Sequence, residues 1–98
     1  MTVVHISRGG SMTQETYEQV SAQMGTEQDP PPGLIVHTAA EVDGVWQVVD
    51  IWESAGAKER FEQDRLMPAI LTLYGPEAAS PEGQPESVAY EASHTLVP

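Results

Sequence analysis

Residues 33–54, GLIVHTAAEVDGVWQVVDIWES, decide the fold. Two runs rich in β-branched and aromatic residues flank Asp43-Gly44. Asp-Gly between apolar runs is a strong hairpin signal, because a type I′ turn needs φ > 0 at both central positions. With Asp43 and Gly44 as the turn, Val42 faces Val45 and opposed residue numbers sum to 87. Ala39 then faces Val48, His37 faces Asp50 and Ile35 faces Trp52. Directly opposed residues share a face of the sheet. The turn thus sets an imidazole beside a carboxylate, with an indole one step along. A three-residue loop, Val42 to Gly44, pairs His37 with Val49 instead and dissolves the set, since one residue of slip exchanges faces.

Working outward, residues 2–7 (TVVHIS) read as strand one, broken by Arg8-Gly9-Gly10. Thr13 is an N-cap for a helix through Met24, with Gly25 at C′. Its apolar stripe is Tyr17, Val20 and Met24, which favours the core over the pocket for Tyr17. Residues 28–33 (QDPPPG) form a stiff connector, because three prolines remove donors and fix φ. Beyond the hairpin, Ser54 caps a second helix with Ala57, Phe61 and Leu66 inward. Lys58, Glu59, Arg60, Glu62 and Asp64 point mostly to solvent, and Arg60 and Arg65 pair with helix acids. Pro68 starts a separate short helical turn. Residues 75–85, rich in Pro, Gly and acid, read as a mobile surface loop, and the alternating residues 86–97 as strand four. The order βαββαβ predicts an α+β, ferredoxin-like sandwich: four antiparallel strands with both helices on one face.

The chain has 98 residues, enough for one domain spanning 1–98. It has no cysteine, hence no disulfide, thiol nucleophile or thiolate metal site. Four Lys+Arg against 15 Asp+Glu give a net charge of −11, which argues against nucleic acid and anionic membranes as partners. No apolar run is long enough to span a membrane, and the N-terminus lacks signal-peptide features, so a cytoplasmic location is expected. No Gly-rich phosphate loop or nucleophile elbow is present.

GLIVH, VVDIWES, the Phe61 helix and the Pro68 turn resemble small bacterial proteins of the dimeric α/β-barrel superfamily, including antibiotic-biosynthesis monooxygenase-like proteins. The resemblance covers about residues 3–97. It implies a homodimer in which two sheets pack face to face, with a small-molecule pocket between each sheet's open face and its edges. Haem-degrading members of the superfamily hold haem in this pocket. Here the three histidines fall on separate strands without HxH or HxxxH spacing, so neither metal nor haem is expected.

Alternation sorts the strands into two faces. Val4, Ile6, Leu34, Val36, Val49 and Ile51 make an aliphatic face suited to packing under the helices. His5, His37, Trp46, Asp50 and Trp52 make the other face, expected to be open and to floor a ligand pocket. Tyr90 and His94 join this set if strand four turns that way; otherwise Tyr90 is core. Asp50 beside His37 fixes the imidazole tautomer and stabilises the imidazolium, which suits proton transfer near pH 7. The same pair also serves as a purely structural cross-strand bond. Trp46 and Trp52 either stack on a planar substrate or fill the sheet interface. Arg8 either meets an anionic group at the rim or makes a surface ion pair.

The functional expectation is a cofactor-independent enzyme acting on an apolar, aromatic or polyketide-like metabolite by oxygenation or proton transfer. His37 is base or acid, Asp50 its orienter, and Trp52, Trp46, His5, Tyr90 and His94 contact substrate. A non-catalytic metabolite-binding protein and a purely structural homodimer are the other two readings.

Overall fold

A computed structural model describes residues 1–79 and 84–98 of the chain. The strands are β1 (Val3–Arg8), β2 (Leu34–Val42), β3 (Val45–Trp52) and β4 (Glu86–Glu91). They form one antiparallel sheet in the order β2-β3-β1-β4. The helices are α1 (Gln14–Met24), α2 (Ala55–Phe61) and α3 (Met67–Tyr74). This is the expected ferredoxin-like arrangement. Among the described residues, no helix is long and apolar enough to cross a membrane.

The Asp43-Gly44 turn has positive φ at both residues, 53° and 77°. Val42 pairs with Val45, Ala39 with Val48 and His37 with Asp50, so the two-residue turn sets the register. The register slips at the far end. A bulge between Leu34 and Val36 places Leu34, not Ile35, opposite Trp52. An extra residue in one strand swings the next side chains to the other face. Leu34 thereby leaves the aliphatic face and packs with Trp52, Val3, Ala57 and Phe61.

Helix α1 matches its sequence signals. Thr13 accepts from the Thr16 N–H, the Thr16 hydroxyl answers the Thr13 N–H, and Gly25 closes the helix in the left-handed region. Ser54 caps α2 through the Ala57 N–H. Pro68 does not begin a separate element. Helices α2 and α3 run on through a π turn, Glu62–Leu66, in which the Met67 N–H bonds the Glu62 carbonyl. Proline in a regular helix meets the carbonyl four residues back; the widened turn is where this helix absorbs Pro68. Arg65, on that turn, does not pair with a helix acid. Its guanidinium donates to the Met24 carbonyl at 2.8 Å and the Asp29 carbonyl at 2.7 Å, stapling the proline connector and the end of α1 to α3.

The aliphatic face does not lie under the helices; the polar-aromatic face does. Trp52 (1% exposed) packs on Phe61 of the α2 rod with ring centroids 5.2 Å apart, and Val3 and Ala57 complete that cluster. Tyr17 of α1 contacts His37 and Trp46. Alternation counts the residues of each face but carries no sign, and the bulky aromatics mark the side with room for helices. The open face is lined by Val4, Ile6, Val49 and Ile51, with Val36 and Val88 largely exposed. Arg8 lies on that open side, bonded to Gln47 and the Val42 carbonyl, and not at the rim of the His37 face.

Strand β4 ends at Glu91, shorter than residues 86–97. Beyond it the Ala92 N–H still bonds the Thr2 carbonyl, after which the tail leaves the sheet. Of the expected loop 75–85, Pro76–Ala79 form a 3₁₀ turn, and residues 80–83 lie outside the described residues.

Candidate active site

The site is built on one row across the sheet. His37 of β2, Asp50 of β3 and His5 of β1 are successive cross-strand partners, so all three side chains rise toward the helices. Asp50 is buried at 8% exposure, and His37 Nδ1 hydrogen-bonds its Oδ1. His37 Nε2 bonds the Tyr17 hydroxyl at 2.5 Å. The His37 and Tyr17 rings stack at 5.8 Å and 10°, and Trp46 leans on Tyr17 at 5.3 Å. The result is a phenol–imidazole–carboxylate chain. The His37 side chain is 37% exposed, so solvent reaches it.

Tyr17 is the residue that sequence reasoning misplaced. Its spacing with Val20 and Met24 reads as a core stripe, yet α1 has no buried residue. Tyr17 lies over β2 and β3, against His37 and Trp46, while Met24 at the other end of the stripe lies beside Arg65, Pro68 and Ala69. A hydroxyl at the tip of the stripe, on a helix fated to cross a strand bearing His37, was the available signal.

Electrostatics sets the two imidazoles apart. The hydrogen bond to Asp50 raises the His37 pKa above 6.5, outweighing desolvation. Burial lowers that of His5 below 6.5, and Lys58 adds to the effect against Glu62 and Asp50. Burial also raises Tyr17 above the ordinary phenol value of 10.0, against a hydrogen bond from Ser21, so the phenol stays protonated at neutral pH. Neutral His37 then has one consistent tautomer: Nδ1–H donates to Asp50 and Nε2 accepts from Tyr17.

These shifts predict opposite stability effects on either side of pH 6.5. A raised folded-state pKa gives stability that is full below the unfolded value and lost as pH rises through the folded value; that is His37. For His5 the unfolded state binds more protons, so its contribution is present above 6.5 and lost as pH falls through its lowered value. Urea unfolding across this range should show the gap between wild type and His37→Gln closing as pH rises. The gap to His5→Gln should close as pH falls. Parallel curves would contradict the assignment.

Of the expected contacts, the fold brings together His37, Asp50, His5 and Trp46. Trp52 lies on the same face but is core, sealed by Phe61, and walls no pocket. Tyr90 is a correction: it pairs with Val4 on the opposite, open face and is half exposed, neither pocket nor core. His94 is another: it falls past the end of β4, outside the sheet, because the strand stops before reaching it. A hollow of about 140 Å³ lies beside Trp46, lined also by Met12, Thr13, Gln14, Glu41 and Gly44. The buried indole N–H of Trp46 has no hydrogen-bond partner among the described residues. Nor do those residues bring three His, Asp or Glu side chains together as a metal-ligand set.

No protein-family profile and no curated protein matches the sequence. Solved structures do match along nearly its full length. SnoaB, a cofactor-independent oxygenase from Streptomyces nogalater, is 20% identical over 97% of this chain and 96% of that one, with a TM-score of 0.60. A candidate antibiotic-biosynthesis monooxygenase from Deinococcus radiodurans is 16% identical over 99% and 97%, with a TM-score of 0.64. A variant of MhuD, holding two manganese protoporphyrin IX per active site, is 15% identical over all of both chains, with a TM-score of 0.60. The chain therefore has the fold of the antibiotic-biosynthesis monooxygenase-like proteins. In this arrangement both His37 ring nitrogens are bonded, so neither is free to ligate a porphyrin metal.

Proposed function

We propose that this chain is a cofactor-independent enzyme that removes a proton from a small, apolar, aromatic or polyketide-like substrate, as the first step of oxygenation or of an isomerisation. The observation that carries this reading is the Tyr17–His37–Asp50 chain, open to solvent at its outer end. The Tyr17 hydroxyl meets the substrate. As it takes a proton from an acidic C–H or O–H, it passes its own to His37 Nε2, and Asp50 stabilises the imidazolium that forms. The carbanion or phenolate left behind is electron-rich. In the oxygenase outcome it reduces O₂, and an activated methylene becomes a carbonyl: R–CH₂–R′ + O₂ gives R–CO–R′ + H₂O. In the isomerase outcome the proton returns at another atom. SnoaB, a cofactor-independent oxygenase on the same fold, favours the first outcome.

The neutral probe 2-tetralone tests it, having one acidic methylene between an aromatic ring and a carbonyl. Deuterium exchange at that methylene, followed by NMR, should run faster with protein than in buffer. Oxygen consumption in the same mixture separates oxygenation from isomerisation. Exchange at the buffer rate for this and other activated methylenes would leave a binding role, the second reading of the site.

The helices cover the catalytic row, so the open aliphatic face needs another cover. A second copy is the partner we assign to it, giving a homodimer whose interface lies behind the site and not over it. Sedimentation equilibrium should give twice the 10.6 kDa chain mass. Val36→Glu, on the exposed part of that face, should give the single mass. A monomeric wild type would refute the dimer.

A further inference from the structure

The helices above the sheet are not equally anchored. The α2 rod is tied down: Ala57 and Ala69 are buried, and even Lys58, which charge assigns to solvent, has a side chain only 16% exposed. None of the eleven residues of α1 is buried. Hydrogen bonds hold this helix at intervals instead. The Tyr17 hydroxyl bonds His37 Nε2, the Gln19 side chain accepts from the Tyr74 hydroxyl of α3, and the Met24 carbonyl accepts from Arg65. Hollows flank α1 at both ends. The one of about 140 Å³ lies between Met12, Thr13 and Gln14 at its start and Glu41 and Trp46 of the hairpin. Another, of about 230 Å³, lies between Gln23 and Met24 at its end and Arg65, Pro68 and Thr72 of the rod.

Neither hollow is lined by Tyr17 or His37. The Tyr17 ring stacks on His37 and leans on Trp46, so the phenol itself occupies the place over the imidazole that a substrate ring needs. We infer that α1 is a lid: it pivots at its C-terminal end and lifts Tyr17 off the hairpin to admit substrate beside Trp46. The pivot is the Arg65 staple, which holds the Met24 and Asp29 carbonyls. At the other end the chain from β1 passes through residues 9–12, where the Met12 N–H makes a long bond of 3.4 Å to the Gly9 carbonyl. The outer tie is the Gln19–Tyr74 bond, between two exposed residues. Lifting a helix with no buried residue breaks few packed contacts, so it lies at the low end of the scale of local openings. Closure then brings the Tyr17 hydroxyl back to His37 with substrate in place. This deepens the proton-transfer reading and rests on it for what the opening admits.

Val48 lies between Trp46 and Asp50 on the same face of β3, opposite Ala39, and so beneath Tyr17. The chain has no cysteine, so Val48→Cys places a single thiol under the lid. Its labelling by the uncharged reagent 4,4′-dithiodipyridine, followed by absorbance, should run at least about tenfold slower than in the urea-unfolded chain, because the closed lid covers it. Low urea should leave that rate nearly unchanged, since the opening exposes little surface, whereas labelling through unfolding rises steeply with urea. Tyr74→Phe removes the outer tie and should raise the rate about threefold or more, as the loss of one hydrogen bond allows. Ala39→Cys, across the ladder, serves where Val48→Cys does not fold. A thiol as reactive as in the unfolded chain, one whose labelling climbs with urea in step with unfolding, or one indifferent to Tyr74→Phe would overturn the inference. Lid-gated labelling without deuterium exchange into 2-tetralone would refute the catalytic reading while leaving the lid in place. Exchange in a protein whose thiol is reached only by unfolding would do the reverse.

Discussion

Replacing His37 by glutamine should slow deuterium exchange into 2-tetralone by roughly 10²–10⁴-fold, the usual contribution of a positioned acid or base. Glutamine can still hydrogen-bond Asp50 and Tyr17, so the fold and the pocket wall survive. What it lacks is a nitrogen that takes up a proton near neutral pH. Tyr17→Phe should act in the same direction, because it cuts the chain at the end that meets substrate. Asp50→Asn should do so by leaving the imidazolium without its counter-charge. The three are links of one chain, so a double variant should lose little beyond the worst single one. Exchange that is unchanged in His37→Gln, with binding intact, would mean that the row is structural.

The largest effect on stability should come from Trp52. Among the described residues it is the most deeply buried large side chain, and the other buried apolar residues are few: Val3, Ala57 and, elsewhere, Ala69. Truncation to alanine removes the contact with Phe61 and opens a cavity where β3 meets α2, at a cost of about 3–5 kcal/mol. A domain of this size is stable by only about 5–15 kcal/mol, so Trp52→Ala should lose a large share of it or fail to fold. Trp52→Phe should cost much less. Its indole N–H is buried without a partner among the described residues, so the smaller ring gives up packing but no hydrogen bond. Urea midpoints measure both. A Trp52→Ala protein within about 1 kcal/mol of wild type would show that the cluster is not the core.

Local signals were legible wherever a few residues carry the whole cause. Asp43-Gly44 set the turn and hence the His37–Asp50 pair; Thr13, Gly25 and Ser54 set the helix ends. The misreadings all needed something non-local. Apart from Leu34, which the bulge moves, alternation separated the two faces but could not say which one the helices choose. The sign is set by how α1 and the α2 rod return over the sheet, with Tyr17 landing on His37 and Phe61 on Trp52. The bulge at Ile35 had no sequence cue, because GLIV is equally good as an unbroken strand. Pro68 looked like the start of a separate helical turn, and only the five-residue turn before it shows how the rod continues. Tyr90 and His94 depended on how far β4 runs, which its edge position and its partner β1 decide. Lys58 shows the same limit, since charge suggests solvent until the helix face is known.

The most direct test of the Tyr17–His37–Asp50 chain is an NMR titration of the His37 ring in wild type and in Asp50→Asn. The account predicts a pKa above 6.5 in wild type, a drop in Asp50→Asn, and a shift of the ring signals on adding 2-tetralone. A His37 that titrates at or below 6.5, indifferent to Asp50→Asn and to the probe, would contradict it.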